Sequence, residues 1–223
     1  MTRVLHPRFA ARRSSTRATT WWGKAWVRAV EESAYAQEDL AAGRRLARSG
    51  RVGAITVEEG GYYAAVEDEG GVLTVAGVLP VLDADGRSAL VEVVAAEAGR
   101  IAALTAGELP HLLVEHADEA GVELLPYGGE LGSACTCEAW ADPCRHALAV
   151  LYQLTWHLEA DPLVLLHLRG LAREDLLARL HEREQPPAEP ADGDLESALD
   201  AALRAARLLE LLADPHSRVD HLL

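Results

Sequence analysis

Short apolar segments between positions 52 and 82 have the pattern of a small antiparallel sheet. Each segment is rich in β-branched residues, and glycine pairs at 60–61 and 70–71 separate them. Runs of this length, bounded by glycine, are typical of strands joined by tight turns. We therefore predict a three-stranded meander at 52–57, 62–66 and 72–82, and a further short strand at 122–125.

Most of the remaining chain has apolar residues three or four positions apart, which indicates amphipathic helices. In the first of them, at 21–42, Trp22, Trp26 and Val30 fall on one face. We expect these aromatic side chains in the core, with a base-stacking surface as the alternative. Further helices are predicted at 88–105, 110–119, 143–158, 162–168, 173–182 and 194–213. A small antiparallel β-meander with several helices predicts an α+β fold.

The three cysteines of the chain all lie within ten residues, in the pattern C-x-C, six residues, then C-x-H. The four residues are Cys135, Cys137, Cys144 and His146. Three thiolates and one imidazole at this spacing complete a tetrahedral zinc site. We expect the first pair on a strand, and the second pair in the first turn of a helix that Asp142 caps and Pro143 begins. An odd number of cysteines, two of them too close for an unstrained disulfide, argues against disulfide bonding.

This segment resembles a SWIM-type zinc finger, whose hallmark is C-x-C, a variable gap, then C-x-H. Further segments resemble the bacterial SWIM zinc finger family over about residues 16–182; they lie at 20–26, 43–52, 107–110 and 161–170. The resemblance implies a ββα finger in which the four residues bind zinc. It also implies a module that binds DNA or proteins, in the company of Swi/Snf-class helicases, and it brings no catalytic residue with it.

The chain divides into six predicted segments. They are a basic N-terminal arm (1–20), an α+β domain (21–126), the SWIM zinc finger (127–158), a helical extension (159–183), a proline-rich linker (184–193) and an amphipathic C-terminal helix (194–213). The last helix is too short to form a coiled coil alone. It either folds back on the body or pairs with another chain, and the second alternative would make a homo- or hetero-oligomer.

The charge of the chain is negative overall and unevenly distributed. The net charge is −14, from 35 acidic and 21 basic residues, so the surface disfavours indiscriminate binding to duplex DNA. The first 30 residues nevertheless hold seven cations and no acid. Three alternatives follow for this basic arm: it docks on nucleic acid, it docks on the acidic body of its own chain, or it is a targeting sequence. Within it, Arg12, Arg13 and Arg17 are the candidate binding residues.

Nothing in the sequence indicates an active site. A zinc ion with four protein ligands keeps no open coordination position. The other histidines form no H-E-x-x-H motif, and the glycine pairs lie in acidic turns rather than in a phosphate-binding loop. There is no run of 18 apolar residues, so we predict no membrane span. Reduced cysteines suit the cytoplasm.

From the sequence we predict a cytoplasmic zinc-binding protein that acts without catalysis as an adaptor for a protein partner. The alternative is a nucleic-acid-binding accessory factor, partnered with a Swi/Snf-class helicase, that uses the basic arm and the finger. Arg145 lies between two of the ligands, so its side chain must point away from the metal. It is then available to a partner, solvated, or paired with Glu138 or Asp142.

Overall fold

A computed structural model of the chain describes residues 2–13, 17–137, 139–184 and 191–212. The chain falls into two compact units, Met1–Leu180 and His181–Leu223. The first unit contains the sheet and the cysteine cluster. The unit combines helices with one sheet whose strand pairs are all antiparallel, which confirms the predicted α+β class.

One antiparallel sheet contains five strands whose order in space is their order in the chain. In sequence from β1 to β5 they are Val4–His6, Val52–Glu58, Gly61–Asp68, Gly71–Val78 and Gly132–Cys135. The three central strands are the meander predicted from the sequence. The basic arm adds β1 at one edge, where Val4 faces Val57, and the finger adds β5 at the other, where Cys135 faces Val75. The meander therefore holds the first cysteine in place.

Two predictions about the strands are wrong. The fourth strand ends at Val78 instead of 82, because Pro80 has no backbone N–H to continue the ladder. The segment 122–125 is not a strand, although Val122 and Leu124 alternate inward and are buried. The Leu124 carbonyl accepts a hydrogen bond from the Arg169 side chain (3.0 Å) instead of from a neighbouring strand.

The described residues contain nine α-helices and one short 3-10 helix at Gly128–Glu130. In order from α1 to α9 the α-helices are Trp21–Ser33, Gln37–Arg48, Ala84–Ala95, Ala98–Thr105, His111–Glu119, Arg145–Ala160, Leu163–Leu168, Arg173–Glu184 and Ala191–Leu212. Among them none is long and apolar enough to cross a membrane.

Two predicted helices are each divided in two. The helix expected at 21–42 breaks at Ala34, whose backbone is extended. Just before the break, the Ser33 hydroxyl donates a hydrogen bond to the Val30 carbonyl at 2.9 Å. A serine that bonds its own helix backbone in this way competes with the helical ladder. The helix expected at 88–105 breaks at Glu97, which is also extended. There the guanidinium of the buried Arg100 bonds a carbonyl at the end of α3.

Helix α6 lies at the centre of the compact unit, and every residue from His146 to Leu158 is buried. Helices α1 and α2 pack against it. The indole nitrogens of Trp22 and Trp26 donate to carbonyls of α6, at 2.9 and 3.2 Å. The tryptophan face predicted from the sequence is therefore core. Because α6 begins beside the cysteine cluster, this packing also fixes the second half of the cluster.

A buried ion pair joins Glu130, near the start of the finger segment, to Arg169, the residue after α7. Arg169, which is 2% exposed, forms two parallel hydrogen bonds of 3.0 Å to the carboxylate of Glu130. The same guanidinium donates to the carbonyls of Leu124 and Pro80. Three regions of the chain that are distant in sequence, at 80, 124–130 and 169, thus meet at one side chain.

The described part of the N-terminal arm lies on the body of the same chain. Arg3 contacts Glu58 (Nε to Oε2, 2.7 Å), and Arg8 contacts Glu67 (3.1 Å) and the carbonyl of Gly50 (2.8 Å). These are the contacts expected if the arm docks on its own acidic body. They agree with one of the three alternatives drawn from the sequence.

The C-terminal unit contains α9, which begins at Ala191 rather than at 194. Of the predicted linker 184–193, residues 185–190 lie outside the described residues. Along α9, Leu199, Leu203 and Leu209 are exposed. The two alternatives for this helix, packing on its own chain or pairing with another, stay predictions.

Candidate metal centre

The four predicted zinc ligands come from two parts of the compact unit. Cys135 is the last residue of β5, and Cys137 follows in a bend two residues later. Cys144 is the N-cap residue of α6, and His146 lies in its first turn. The sheet edge therefore supplies one pair of ligands, and the N-terminus of the central helix supplies the other.

The start of α6 differs from the prediction. The helix begins at Arg145, so that Cys144, not Asp142, occupies the N-cap position, and Pro143 lies ahead of the helix. The Asp142 carboxylate accepts a hydrogen bond from the Ser133 hydroxyl on β5, so it is not used to cap the helix. Asp142 thus ties the turn between the two ligand pairs to the strand that carries the first pair.

The ligand atoms are arranged as a zinc site requires. The sulfur atoms of Cys137 and Cys144 are 3.5 Å apart, and Nδ1 of His146 lies 3.9 Å from the sulfur of Cys135 and 3.8 Å from that of Cys144. All four atoms lie within 4.8 Å of one another. Tetrahedral coordination at ordinary Zn–S and Zn–N lengths places such atoms about 3.5–3.8 Å apart. The residues present fit a closed Cys3His zinc site.

Burial disfavours the thiolate form of two of the three cysteines, Cys135 and Cys144. Cys144 and His146 are buried, and Cys135 and Cys137 are partly buried. Burial raises the pKa of the Cys135 thiol to about 12, and it also raises the pKa of Cys144. Zinc binds cysteine as the thiolate, so its positive charge must offset the free energy that it costs to bury a negatively charged sulfur atom. The N-terminus of α6 adds a favourable partial positive charge beside Cys144 and His146.

Asp68, at the end of β3, orients the histidine ligand. Its Oδ2 atom lies 2.8 Å from Nε2 of His146, whose Nδ1 faces the cysteines. The hydrogen bond from His146 is the main reason why the pKa of Asp68 falls to about 2. A carboxylate that accepts from one ring nitrogen leaves the other nitrogen free to bind the metal. Sequence reasoning missed Asp68, because it precedes His146 by 78 residues and lies in an acidic turn without a metal-binding pattern.

The predicted binding residue Arg145 contacts this same carboxylate. Its Nη2 atom lies 2.8 Å from Oδ2 of Asp68, and Arg51 approaches the other oxygen at 3.6 Å. About half of the Arg145 side chain remains exposed. Of its two expected intramolecular partners, Glu138 lies outside the described residues, and Asp142 bonds Ser133 instead.

The other predicted binding residues do not gather at the metal centre. The guanidinium of Arg12 lies over the rings of Phe9 and Trp156, at 4.7 and 4.4 Å from their centroids. Arg13 is exposed. Arg17 lines a cavity beside α1 and α2. The candidates on the arm are therefore spread along the body rather than added to the finger.

Two aromatic side chains at the tip of the finger were not found by sequence reasoning. Trp140, in the loop between Cys137 and Cys144, is 78% exposed, and Tyr35, between α1 and α2, is 74% exposed. Their ring centroids lie 4.8 Å apart with an edge-to-face angle of 78°. The sequence placed Trp140 inside the finger, but it carried no signal that Tyr35 would meet it.

Comparison with known proteins identifies the finger. Residues 120–154 match the family model of the SWIM zinc finger. The chain is also similar to Uncharacterized protein Rv2102 of Mycobacterium tuberculosis, with 32% identity over 178 residues. The match covers 78% of this chain and 63% of that protein. No solved structure matches the chain.

Proposed function

This chain carries a SWIM zinc finger, and we propose that it is a non-enzymatic adaptor that binds a protein partner through the finger tip. The observation that carries the proposal is the exposed pair of Trp140 and Tyr35 beside the metal centre. Large aromatic side chains dominate the binding energy of protein interfaces, where they fill pockets on the partner. The zinc site holds the loop that presents Trp140, so the surface is formed before binding.

The charges around this pair suit a polypeptide better than a phosphate backbone. A shallow cleft of about 300 Å³ adjoins Trp140 and is lined by residues of both signs, among them Asp39 and Arg145. Arg145 already contacts Asp68, so its charge is largely offset. A surface that binds nucleic acid would instead need several unopposed cations. The finger tip therefore favours a partner with mixed charge and an apolar pocket.

The absence of catalysis is proposed from the chemistry of the donor set. Three thiolates and one imidazole occupy all four positions of a tetrahedral zinc ion. No position then remains for a substrate or an activated water. The metal would stabilise the finger, and binding would be the task of the surface around it.

Replacing Trp140 with alanine should weaken partner binding strongly without unfolding the protein. We expect at least a tenfold loss of the captured partner, since an aromatic anchor is typically worth about 2 kcal/mol or more. The measurement is quantitative affinity capture from the native host, with the melting temperature recorded in parallel. The matched control is Leu112→Ala, which removes an exposed apolar side chain from α5. Equal capture by the Trp140 variant and the wild type would overturn the proposal.

The alternative, a nucleic-acid accessory factor of a Swi/Snf-class helicase, is favoured by a set of unopposed cations. Arg13, Arg17 and Lys24 have no ion-pair partner within the described ranges. A truncation of the arm cannot test this alternative, because removal of residues 1–18 would also remove the edge strand β1.

Charge reversal of the arm tests this alternative more cleanly. If the chain binds DNA, Arg13→Glu/Arg17→Glu should weaken binding and reduce the slope of log affinity against log salt by about 2. Fluorescence anisotropy with a labelled duplex at two or more salt concentrations measures both quantities. The adaptor proposal expects no duplex binding by the wild type at physiological salt, so tight binding there would favour the alternative.

A further inference from the structure

A second concave site lies away from the finger, where α1, α2 and α6 meet. It is a partly open cavity of about 570 Å³, within the range of small-molecule binding sites. Its lining combines five cations, one carboxylate and a few apolar or aromatic groups. The lining residues are Arg17, Ala18, Lys24, Val27, Arg28, Glu31, Arg44, Arg48 and Tyr152. None of them is a zinc ligand or part of the Trp140 and Tyr35 pair.

The wall of this basic cavity is held in place by hydrogen bonds. Arg44 donates to the Tyr152 hydroxyl at 3.0 Å and also pairs with Glu31. The backbone nitrogens of Thr19 and Thr20, which follow Arg17, donate to the carboxylate of Glu159 on α6 at 2.6 and 2.8 Å. The cavity therefore has a fixed shape on two sides.

The positive charge of the basic cavity is only partly offset. Glu31 is its one acidic lining residue, and Glu32 pairs with Arg28 at 2.8 Å from outside the lining. Lys24 and Arg17 have no ion-pair partner in the part of the chain that the structure describes. Like charges brought together in a concavity repel one another, and an anion that enters it relieves this repulsion. In a chain with a net charge of −14, this concentration of cations favours an anionic ligand.

We propose that the basic cavity binds a free phosphate ester of nucleotide size. Its cations would contact the phosphate oxygens, because guanidinium groups match the geometry of phosphate and form strong charge-assisted hydrogen bonds with it. Val27 and Ala18, which are both partly exposed, provide apolar contacts for the organic part of the ester. The cavity and the finger tip use different residues, so this site goes beyond the adaptor function and does not depend on it.

Isothermal titration of the full-length, zinc-loaded protein with ADP tests the proposal. Pyrophosphate and a single-stranded DNA oligonucleotide serve as parallel titrants. We expect ADP to bind, and Lys24→Ala/Arg17→Ala to weaken its affinity by at least about tenfold, because two charged hydrogen-bond donors are lost. The matched control is Arg45→Ala, which removes an exposed arginine from α2 without changing the lining. That variant should bind ADP within about twofold of the wild type.

Three results would overturn the proposal. The first is the failure of both ADP and pyrophosphate to bind at millimolar concentration and low salt. The second is ADP binding that the double variant leaves unchanged. The third is binding of the oligonucleotide alone, weakened by the double variant, which would assign the phosphates to a nucleic-acid strand. Circular dichroism of each variant shows whether the fold is kept, and Arg48→Ala offers an independent second variant on the cavity wall.

Discussion

Replacing Cys144 with serine should lower the melting temperature by roughly 10 °C or more, because the closed zinc site would lose a buried ligand. This substitution removes a metal ligand without removing the helix cap. Cys144 is the N-cap residue of α6, and serine is a favourable residue at that position, so the helix cap is not lost with the thiolate. Differential scanning calorimetry measures the shift, and metal analysis of the same sample measures the zinc that remains.

Chelation of the wild-type protein provides the control. Removing zinc should lower its melting temperature by a similar amount, while the Cys144→Ser variant should respond little to the same chelator. If the chelated wild type melted at the same temperature as the untreated protein, the metal would have no structural role.

Replacing Arg169 with methionine should lower the free energy of unfolding by about 3–5 kcal/mol. Methionine keeps much of the volume but leaves the Glu130 carboxylate, which is mostly buried, without its partner. It also leaves the carbonyls of Leu124 and Pro80 without the donors that satisfy them. Urea unfolding followed by circular dichroism measures the loss.

A second substitution separates the charge effect from lost packing. Arg169→Met/Glu130→Gln no longer buries an unpaired charge, so it should recover part of the stability lost in the single variant. A single variant that lost less than about 1 kcal/mol would show that this ion pair does not hold the three regions together.

The metal ligands were predictable because their signal is local. Cys135, Cys137, Cys144 and His146 lie within twelve residues, and their spacing reflects the geometry of one ion. The tryptophan face of α1 was also predictable, because helical periodicity encodes burial within a few turns. Its partner helix α6 could not be named from that pattern.

Features that depend on distant pairing were missed. The strand β1 is short, and it exists because the meander offers an unpaired edge beside it. A strand that carries Cys135 was expected, but its pairing with β4 was not. The segment 122–125 has the alternation of a strand, but Arg169, more than forty residues later, takes the carbonyl of Leu124. Asp68 and Tyr35 are distant in sequence from the finger, and only the tertiary fold brings them into contact with it. None of these contacts leaves a pattern in the local sequence.

Site-specific photo-crosslinking at position 140 in the native host is the most direct test of the proposed function. Trp140 is replaced by a photoreactive phenylalanine derivative, and position 112 carries the same group as a control on another exposed surface. If the finger tip binds a protein, irradiation should give a discrete protein adduct at position 140 and none at position 112. An adduct with nucleic acid at position 140, or the same protein adducts at both positions, would contradict the proposal.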